Sequence, residues 1–321
     1  MQLKGIHHVS SLTANARRNV DFYTNVLGMR LVKKTVNQDD TSVYHLFYGD
    51  ERGNPGTEVT FFEIPMAASN KRGTNSITNV SLRVPGDDAL EYWKQRFEEH
   101  AVQHGGIQKQ AGRLVLPFED PEGHRMQFVS DEYDQGVEPG VPWELSNASP
   151  ADGATGLGPV RLTVKTAEPT AAVLKDIMGF SEIHSYPHPD DADLPDIRVF
   201  ETGKGGSGAE IHIETRNDLP AERQGRGAVH HVAFRVEDAD ELQQWIERIK
   251  NARLPNSGFV ERYYFQSLYF REPNGILFEL ATDGPGFEGD EPFEHLGESL
   301  ALPPFLEPQR SEIEARLKPL D

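Results

Sequence analysis

Gly5-Ile6-His7-His8-Val9-Ser10-Ser11-Leu12 opens a pattern that returns three more times along the 321-residue chain. The run reads as a strand. Ala16 to Leu27 follows with apolar residues at helical spacing, and Gly28 closes it. Three strand-like runs come next, Arg30 to Val36, Ser42 to Tyr48 and Glu58 to Ile64, separated by turn-forming Asn, Asp and Gly. One strand, one helix and three strands make a βαβββ unit, and a recurring unit of this size decides the architecture.

The second copy opens at Ile77 to Val84, runs through a helix at Ala89 to His100 and closes at Met126 to Val129. The third opens at Pro159 to Val164, continues through Thr170 to Met178, which Gly179 ends, and closes with Glu210 to Thr215. The fourth opens at His230 to Val236, has a helix at Ala239 to Lys250 and closes at Leu277 to Ala281. Local matches put the copies in register. Asn25-Val26-Leu27-Gly28-Met29 corresponds to Asp176-Ile177-Met178-Gly179-Phe180, and Asp120-Pro121-Glu122-Gly123 to Glu272-Pro273-Asn274-Gly275. The expected fold class is α+β: four βαβββ modules in two tandem domains, with mixed curved sheets forming metal-binding cups. Modules one and two occupy 1–135. A Pro/Gly/Ala/Ser-rich stretch supplies a linker at 136–152, modules three and four occupy 153–285, and 286–321 form a C-terminal tail rich in Gly, Pro and acid.

Composition narrows the chemistry. Hydrophobic content of 37% and charged content of 26% describe an ordinary globular chain. No apolar run approaches the ~20 residues that span a bilayer. The start, Met1 to His8, enters a strand without the apolar core of a signal peptide, so a cytoplasmic location is expected. The chain has no cysteine, which excludes disulfides, thiolate nucleophiles, Cys-zinc sites and iron–sulfur clusters together. With 51 acidic against 32 basic residues the net charge is −19, which repels nucleic acid and anionic membranes, so neither is an expected partner.

Register turns scattered histidines into a site. At the opening strand the four copies present His8, Asn79, Pro159 and His231. Six residues after the turn proline, Pro121 leads to Gln127 and Pro273 to Glu279. Copies one and four therefore keep metal-binding residue types, and copies two and three do not. The simplest arrangement has copies one and four facing each other around a metal held by His8, His231 and Glu279, with copies two and three forming an empty pseudo-site. A single strand histidine more often serves a hydrogen bond than a metal; three ligand types at equivalent repeat positions reverse that. Two imidazoles and a carboxylate suit Fe(II), with Mn(II) the alternative, and leave coordination positions open for chemistry. Aligning Gly56 to Phe62 with Gly208 to Glu214 puts Phe62 where a fourth ligand would stand and turns Glu63 to the opposite face of its strand, so three protein ligands are favoured.

At Gly5-Ile6-His7-His8-Val9, at Val229-His230-His231-Val232 and from Arg262-Tyr263-Tyr264-Phe265-Gln266-Ser267-Leu268-Tyr269 through Arg271-Glu272-Pro273-Asn274-Gly275-Ile276-Leu277-Phe278-Glu279, the chain resembles the vicinal oxygen chelate (VOC) superfamily. That superfamily includes glyoxalase I, bleomycin-resistance proteins and extradiol ring-cleaving dioxygenases. The match looks closest to the hydroquinone-cleaving branch, and the four-module layout covers nearly the whole chain. The resemblance implies an Fe(II)-dependent ring-cleaving dioxygenase that inserts O2 into a hydroquinone- or catechol-like aromatic and opens the ring. It also implies supporting roles around the substrate for His7, His230, Arg262 and Tyr269, with Tyr269 a proton donor and Arg262 a stabiliser of negative charge. Ideal strand alternation would turn His7 and His230 away from the metal face unless the strands bulge there. The partners expected are a small aromatic substrate and O2, and the chain is expected to form a homo-oligomer. Two rival readings remain: a glyoxalase-type isomerase or lyase, which wants a fourth protein ligand and so turns on Glu63, and a non-catalytic binding protein of the bleomycin-resistance type.

Overall fold

The computed structural model describes residues 1–133 and 136–320. Module one comprises β1 (Ile6–Thr13), α1 (Ala16–Val20), β2 (Arg30–Asn37), β3 (Asp40–Gly49) and β4 (Glu58–Glu63); module two comprises β5 (Ser76–Val84), α2 (Asp87–Glu99), β6 (Gln108–Gln110), β7 (Arg113–Glu119) and β8 (Arg125–Ser130). Module three comprises β9 (Gly156–Val164), α3 (Ala167–Ala172), β10 (Ser181–Tyr186), β11 (Ile197–Glu201) and β12 (Glu210–Thr215); module four comprises β13 (Val229–Val236), α4 (Ala239–Asn251), β14 (Asn256–Glu261), β15 (Phe265–Arg271) and β16 (Leu277–Pro285). The four predicted units are all present. No helix among the described residues is long and apolar enough to cross a membrane.

The strands form two curled eight-stranded sheets, ordered β14-β15-β16-β13-β1-β4-β3-β2 and β10-β11-β12-β9-β5-β8-β7-β6. The first sheet joins modules four and one, and the second joins three and two, so the sheets do not follow the two halves of the chain. Within each module the first strand lies parallel to the last, as β1 to β4 and β13 to β16. The modules meet through antiparallel pairs, β1 with β13 and β5 with β9. Every residue of β1 is buried, because one face lines a cup and the other packs under helices.

The helices follow their apolar spacing. α4 buries Leu242, Trp245, Ile246 and Ile249, is capped by Asp238, whose side chain accepts from the Glu241 N–H, and carries acids in its first turn and bases in its last. Each such side chain contributes about 1.5–3 kcal/mol on burial. Modules one and three differ from expectation in detail: after α1 and α3 the chain widens into π turns at Asp21–Val26 and Val173–Ile177. Both end where Gly28 and Gly179 take positive φ. The Met29 N–H then reaches the Tyr23 carbonyl, and the Phe180 N–H that of Leu174. The repeated Leu-Gly and Met-Gly pairs thus encode a wide helix end rather than a plain α-helical one.

Beyond β16 the chain runs back over module one. Leu300 bridges to Lys34, and Leu302, Leu306 and Ile313, the last in α5 (Arg310–Arg316), pack on Val36. Lys33, fully buried, anchors this segment through Asp290 at 2.7 Å and Glu291 at 2.5 Å.

Candidate metal centre

Three strands bring three donors to one point. Ser10 of β1 faces His231 of β13, and Ala233 of β13 lies beside Glu279 of β16, so His8, His231 and Glu279 stand on neighbouring strands of the first cup. His8 Nε2 lies 3.2 Å from His231 Nε2, while Glu279 Oε2 lies 3.1 Å from His8 Nε2 and 2.8 Å from His231 Nε2. All three side chains are at most 3% exposed.

These residues fit a divalent ion on two observations. Donors about 2.1 Å from a shared ion, on one face of an octahedron, sit about 3.0 Å apart, which is the spacing found. Glu279 Oε2 is also buried without a hydrogen-bond partner although two ring nitrogens approach it closely. Close approach without hydrogen-bond alignment is what side chains aimed at a common centre produce. Burial would push the Glu279 carboxyl up, but His8 and His231 outweigh it and hold the group well below the ordinary carboxylate range. Burial lowers His231 against the pull of Glu279. The Glu279 carboxyl is therefore held ionised and burial disfavours the charged form of His231, which is what metal binding requires of both.

The outer nitrogens are held by the preceding histidines. His8 Nδ1 lies 3.0 Å from His7 Nδ1, whose Nε2 lies 3.1 Å from the Thr282 carbonyl. His231 Nδ1 lies 2.8 Å from His230 Nδ1. Burial, followed by the charge of the neighbouring ligand histidine, lowers both His7 and His230 to about 3, so both are neutral near pH 7. One tautomer assignment satisfies every contact: each ligand histidine donates its Nδ1–H to its neighbour and turns the Nε2 lone pair inward, and His7 passes its own proton to Thr282. The strand pairing is irregular at both histidine pairs, with register shifts between Ile6 and Val9 and between Ser10 and Ser11, the latter opposite His230. His230 also lines the cup, whereas His7 lies behind it.

A second cluster, His7, His8 and Glu58, shares these residues. Burial pushes the Glu58 carboxyl well above its ordinary value, the protonated state that suits a ligand least.

The cup opens into a cavity of about 590 Å³ walled by Phe47, Phe62 and Phe265. Tyr269, opposite Glu279 across β15 and β16, stacks edge-on against His231 at 5.7 Å and accepts a hydrogen bond from Arg262 Nε at 3.2 Å. Burial and the Glu279 charge push the Tyr269 phenol up against the opposing pull of Arg262, which keeps it a proton-bearing donor. Arg262 is also paired with Asp39 at 3.0 Å, and its carbonyl accepts from Gln38 Nε2 at 2.7 Å. The β2–β3 hairpin of module one thus reaches across to module four.

Sequence reasoning missed Asp39 and Gln38, together with Ser267 and His45. The Ser267 hydroxyl donates to Glu279 Oε1 at 2.5 Å. His45 is sandwiched between Phe47 and Phe62, at 4.1 and 4.0 Å between ring centres, and lies 3.1 Å from Thr60 Oγ1 through Nε2. Glu63 directs Oε1 to the Ala16 N–H at the start of α1 and belongs to no metal-capable group among the described residues. In the second cup Asn79 and Gln127 line a separate cavity, with no such group among the described residues.

Comparison with known proteins agrees with this architecture. The family model described as Glyoxalase/Bleomycin resistance protein/Dioxygenase superfamily matches residues 5–128 and 156–280. The Bacillus subtilis protein named "Putative ring-cleaving dioxygenase MhqA" is 57% identical over 100% of both chains. The chlorohydroquinone/hydroquinone 1,2-dioxygenase of Sphingobium indicum is 29% identical over 97% of this chain and 95% of its own length. A crystal structure of a B. subtilis protein described as a "putative dioxygenase" superposes with a TM-score of 0.89 at 33% identity, covering 100% of this chain and 98% of that one. The repeats, the two curled sheets and the family match together place this chain in the glyoxalase/bleomycin resistance protein/dioxygenase superfamily.

Proposed function

We propose that this chain is an Fe(II)-dependent dioxygenase that opens a hydroquinone- or catechol-like ring with O2. The observation that carries the reading is the convergence of His8, His231 and Glu279, the two histidines lining a cavity that Phe47, Phe62, Phe265, Tyr269 and Arg262 also line. A redox-active ion held by these three residues supplies electron transfer between an electron-rich, ionised ring and O2. Mn(II) accepts the same donors. The relatives' names add weight, since one is a chlorohydroquinone/hydroquinone 1,2-dioxygenase.

The chain's own residues divide the remaining work. Phe47, Phe62 and Phe265 hold the ring and exclude water. His7 and His230 fix the tautomers of His8 and His231, and His230, on the cavity wall, presents its remaining ring nitrogen to the substrate. Tyr269 holds a proton at its hydroxyl, and Arg262, oriented by Asp39, stabilises negative charge as it develops. Glu63, committed to α1, weighs against a glyoxalase-type four-ligand site.

The test is anaerobic reconstitution with Fe(II), followed by oxygen-electrode and ultraviolet monitoring against hydroquinones, catechols and the methylglyoxal–glutathione hemithioacetal. One O2 consumed per ring opened supports the reading; hemithioacetal isomerisation without oxygen uptake overturns it. Replacing Tyr269 by Phe lowers turnover by about 10²–10⁴-fold with unchanged metal content. Equal activity would remove Tyr269 from the mechanism.

A further inference from the structure

The second sheet curls into its own cup, about 490 Å³ in volume, between modules two and three. Its strands carry positions equivalent to those of the metal cup. Ser10 faces His231 across β1 and β13, and Arg161 faces Asn79 across β9 and β5. Asn79 and Gln127 therefore occupy the places of His231 and Glu279, and Arg161 occupies the place of Ser10. Where the first cup gathers donors for a cation, the second carries a cation of its own.

Arg125, at the start of β8, adds another. It lines the same cavity, where Arg72 and Arg161 repel it and Glu214 and Glu119 attract it without forming an ion pair with it. The other charges there are spoken for. Arg72 pairs with Glu119 at 2.8 Å, Arg216 grips Asp218 with two 2.8 Å bonds, and Glu214 is held by His188 and Thr163. Asp190 is exposed at the rim. Arg125 and Arg161 have no carboxylate partner among the described residues, and Arg161 reaches only the Tyr186 hydroxyl, which His212 shares. Arg161 Nε is buried with no hydrogen-bond partner, and so is Gln110 Oε1 on the same wall. A guanidinium stays charged at any physiological pH, and burying one without a counter-charge is costly. Its planar fork matches the two oxygens of a carboxylate.

We propose that this second cup binds a small organic carboxylate, held by the guanidinium groups of Arg125 and Arg161. Phe118, Met126 and Leu219 give the carbon skeleton apolar contact, and Gln110 offers an acceptor for a hydroxyl on the ligand. The site is independent of the metal cup and of the reaction proposed there.

Isothermal titration of the full chain with citrate, malate and benzoate, at constant ionic strength and with inorganic phosphate as comparison, tests this. The expected result is one saturable site per chain for at least one carboxylate. Arg161→Gln and Arg125→Gln weaken it at least tenfold, Arg125→Lys weakens it because charge without the fork is insufficient, and His231→Gln leaves it unchanged. Because neither arginine forms an ion pair among the described residues and Glu214 is already held by His188 and Thr163, Arg161→Gln keeps or raises the Tm. The proposal is overturned if no carboxylate saturates, if the arginine variants bind as the parent does, or if phosphate binds as tightly as the best carboxylate. Loss of binding in His231→Gln alone places the anion in the metal cup, and a fall in Tm on Arg161→Gln makes that arginine structural; either result also overturns it.

Discussion

Ser267→Ala removes one oxygen atom and, with it, the hydrogen bond that orients the Glu279 carboxylate. The hydroxyl donates to Oε1 at 2.5 Å, and both residues are 0% exposed. A hydrogen bond to a charged group is worth about 1.5–3 kcal/mol, and at a site closed to solvent no water replaces it. At about 1.4 kcal/mol per tenfold, metal affinity should fall roughly 10- to 100-fold, the range found when groups supporting metal ligands are removed. Competition between the full chain and a chromophoric chelator measures this without reference to turnover. Ser11→Ala is the control: Ser11 is equally buried, but its hydroxyl has no partner, so its loss should leave metal affinity unchanged. Equal affinity in Ser267→Ala and the parent refutes the reasoning, as does an equal loss in Ser11→Ala. Lost turnover with unchanged affinity would mean that Ser267 acts through the Tyr269 hydroxyl, which it also approaches.

Lys33→Met should cost about 3–5 kcal/mol, because Asp290 and Glu291 are left facing each other without the ammonium between them. Hydrogen exchange over 286–300 should rise in step; unchanged exchange would mean that apolar packing alone holds the tail. Glu210 provides a pH test. Burial favours its neutral form, but hydrogen bonds from His212 and Arg113 prevail and hold it at about 2. A carboxylate depressed on folding stabilises above its unfolded value, near 4.5, and that contribution disappears as pH falls toward 2, amounting to no more than about 3 kcal/mol. Arg113→Gln should therefore flatten the fall in urea midpoint between pH 5 and pH 3, and parallel profiles would refute the assignment.

The cluster of candidate metal donors was legible because repetition supplies an internal alignment. His8 and His231 sit at one repeat position and Glu279 at another, so register placed them together without any knowledge of distance. The register sets Thr60 beside Ser10 as it sets Glu279 beside Ala233, so Thr60 rather than Phe62 stands at the equivalent place, and the Glu63 carboxylate goes to the Ala16 N–H. Alternation misled for His230, which lines the cup, because the shift between Ser10 and Ser11, opposite His231 and Val229, leaves His230 out of the pairing and breaks the period of two. Ser267 and His45 lie outside the repeat argument. Their roles come from pairings between β15 and β16 and between β3 and β4, and one strand's residues do not announce what the next strand places opposite them. Asp39 is further removed, since it meets Arg262 only because β2 and β14 lie at opposite edges of a sheet curled far enough for hairpin and rim to touch.

One repeat thus yields two cups with opposite electrostatic demands. In the first, two imidazoles and an ionised carboxylate converge while Arg262 is engaged by Asp39 and Tyr269, and the orphaned Glu279 Oε2 marks what is wanted. In the second, Asn79 and Gln127 carry no charge, while Arg161 supplies a fixed cation whose Nε is orphaned in its turn. The backbone register that holds the donors is the same in both, so the difference in chemistry lies in a few side chains at equivalent positions. Exchanging those side chains exchanges the kind of ligand a cup can satisfy, and the fold need not change to accommodate it.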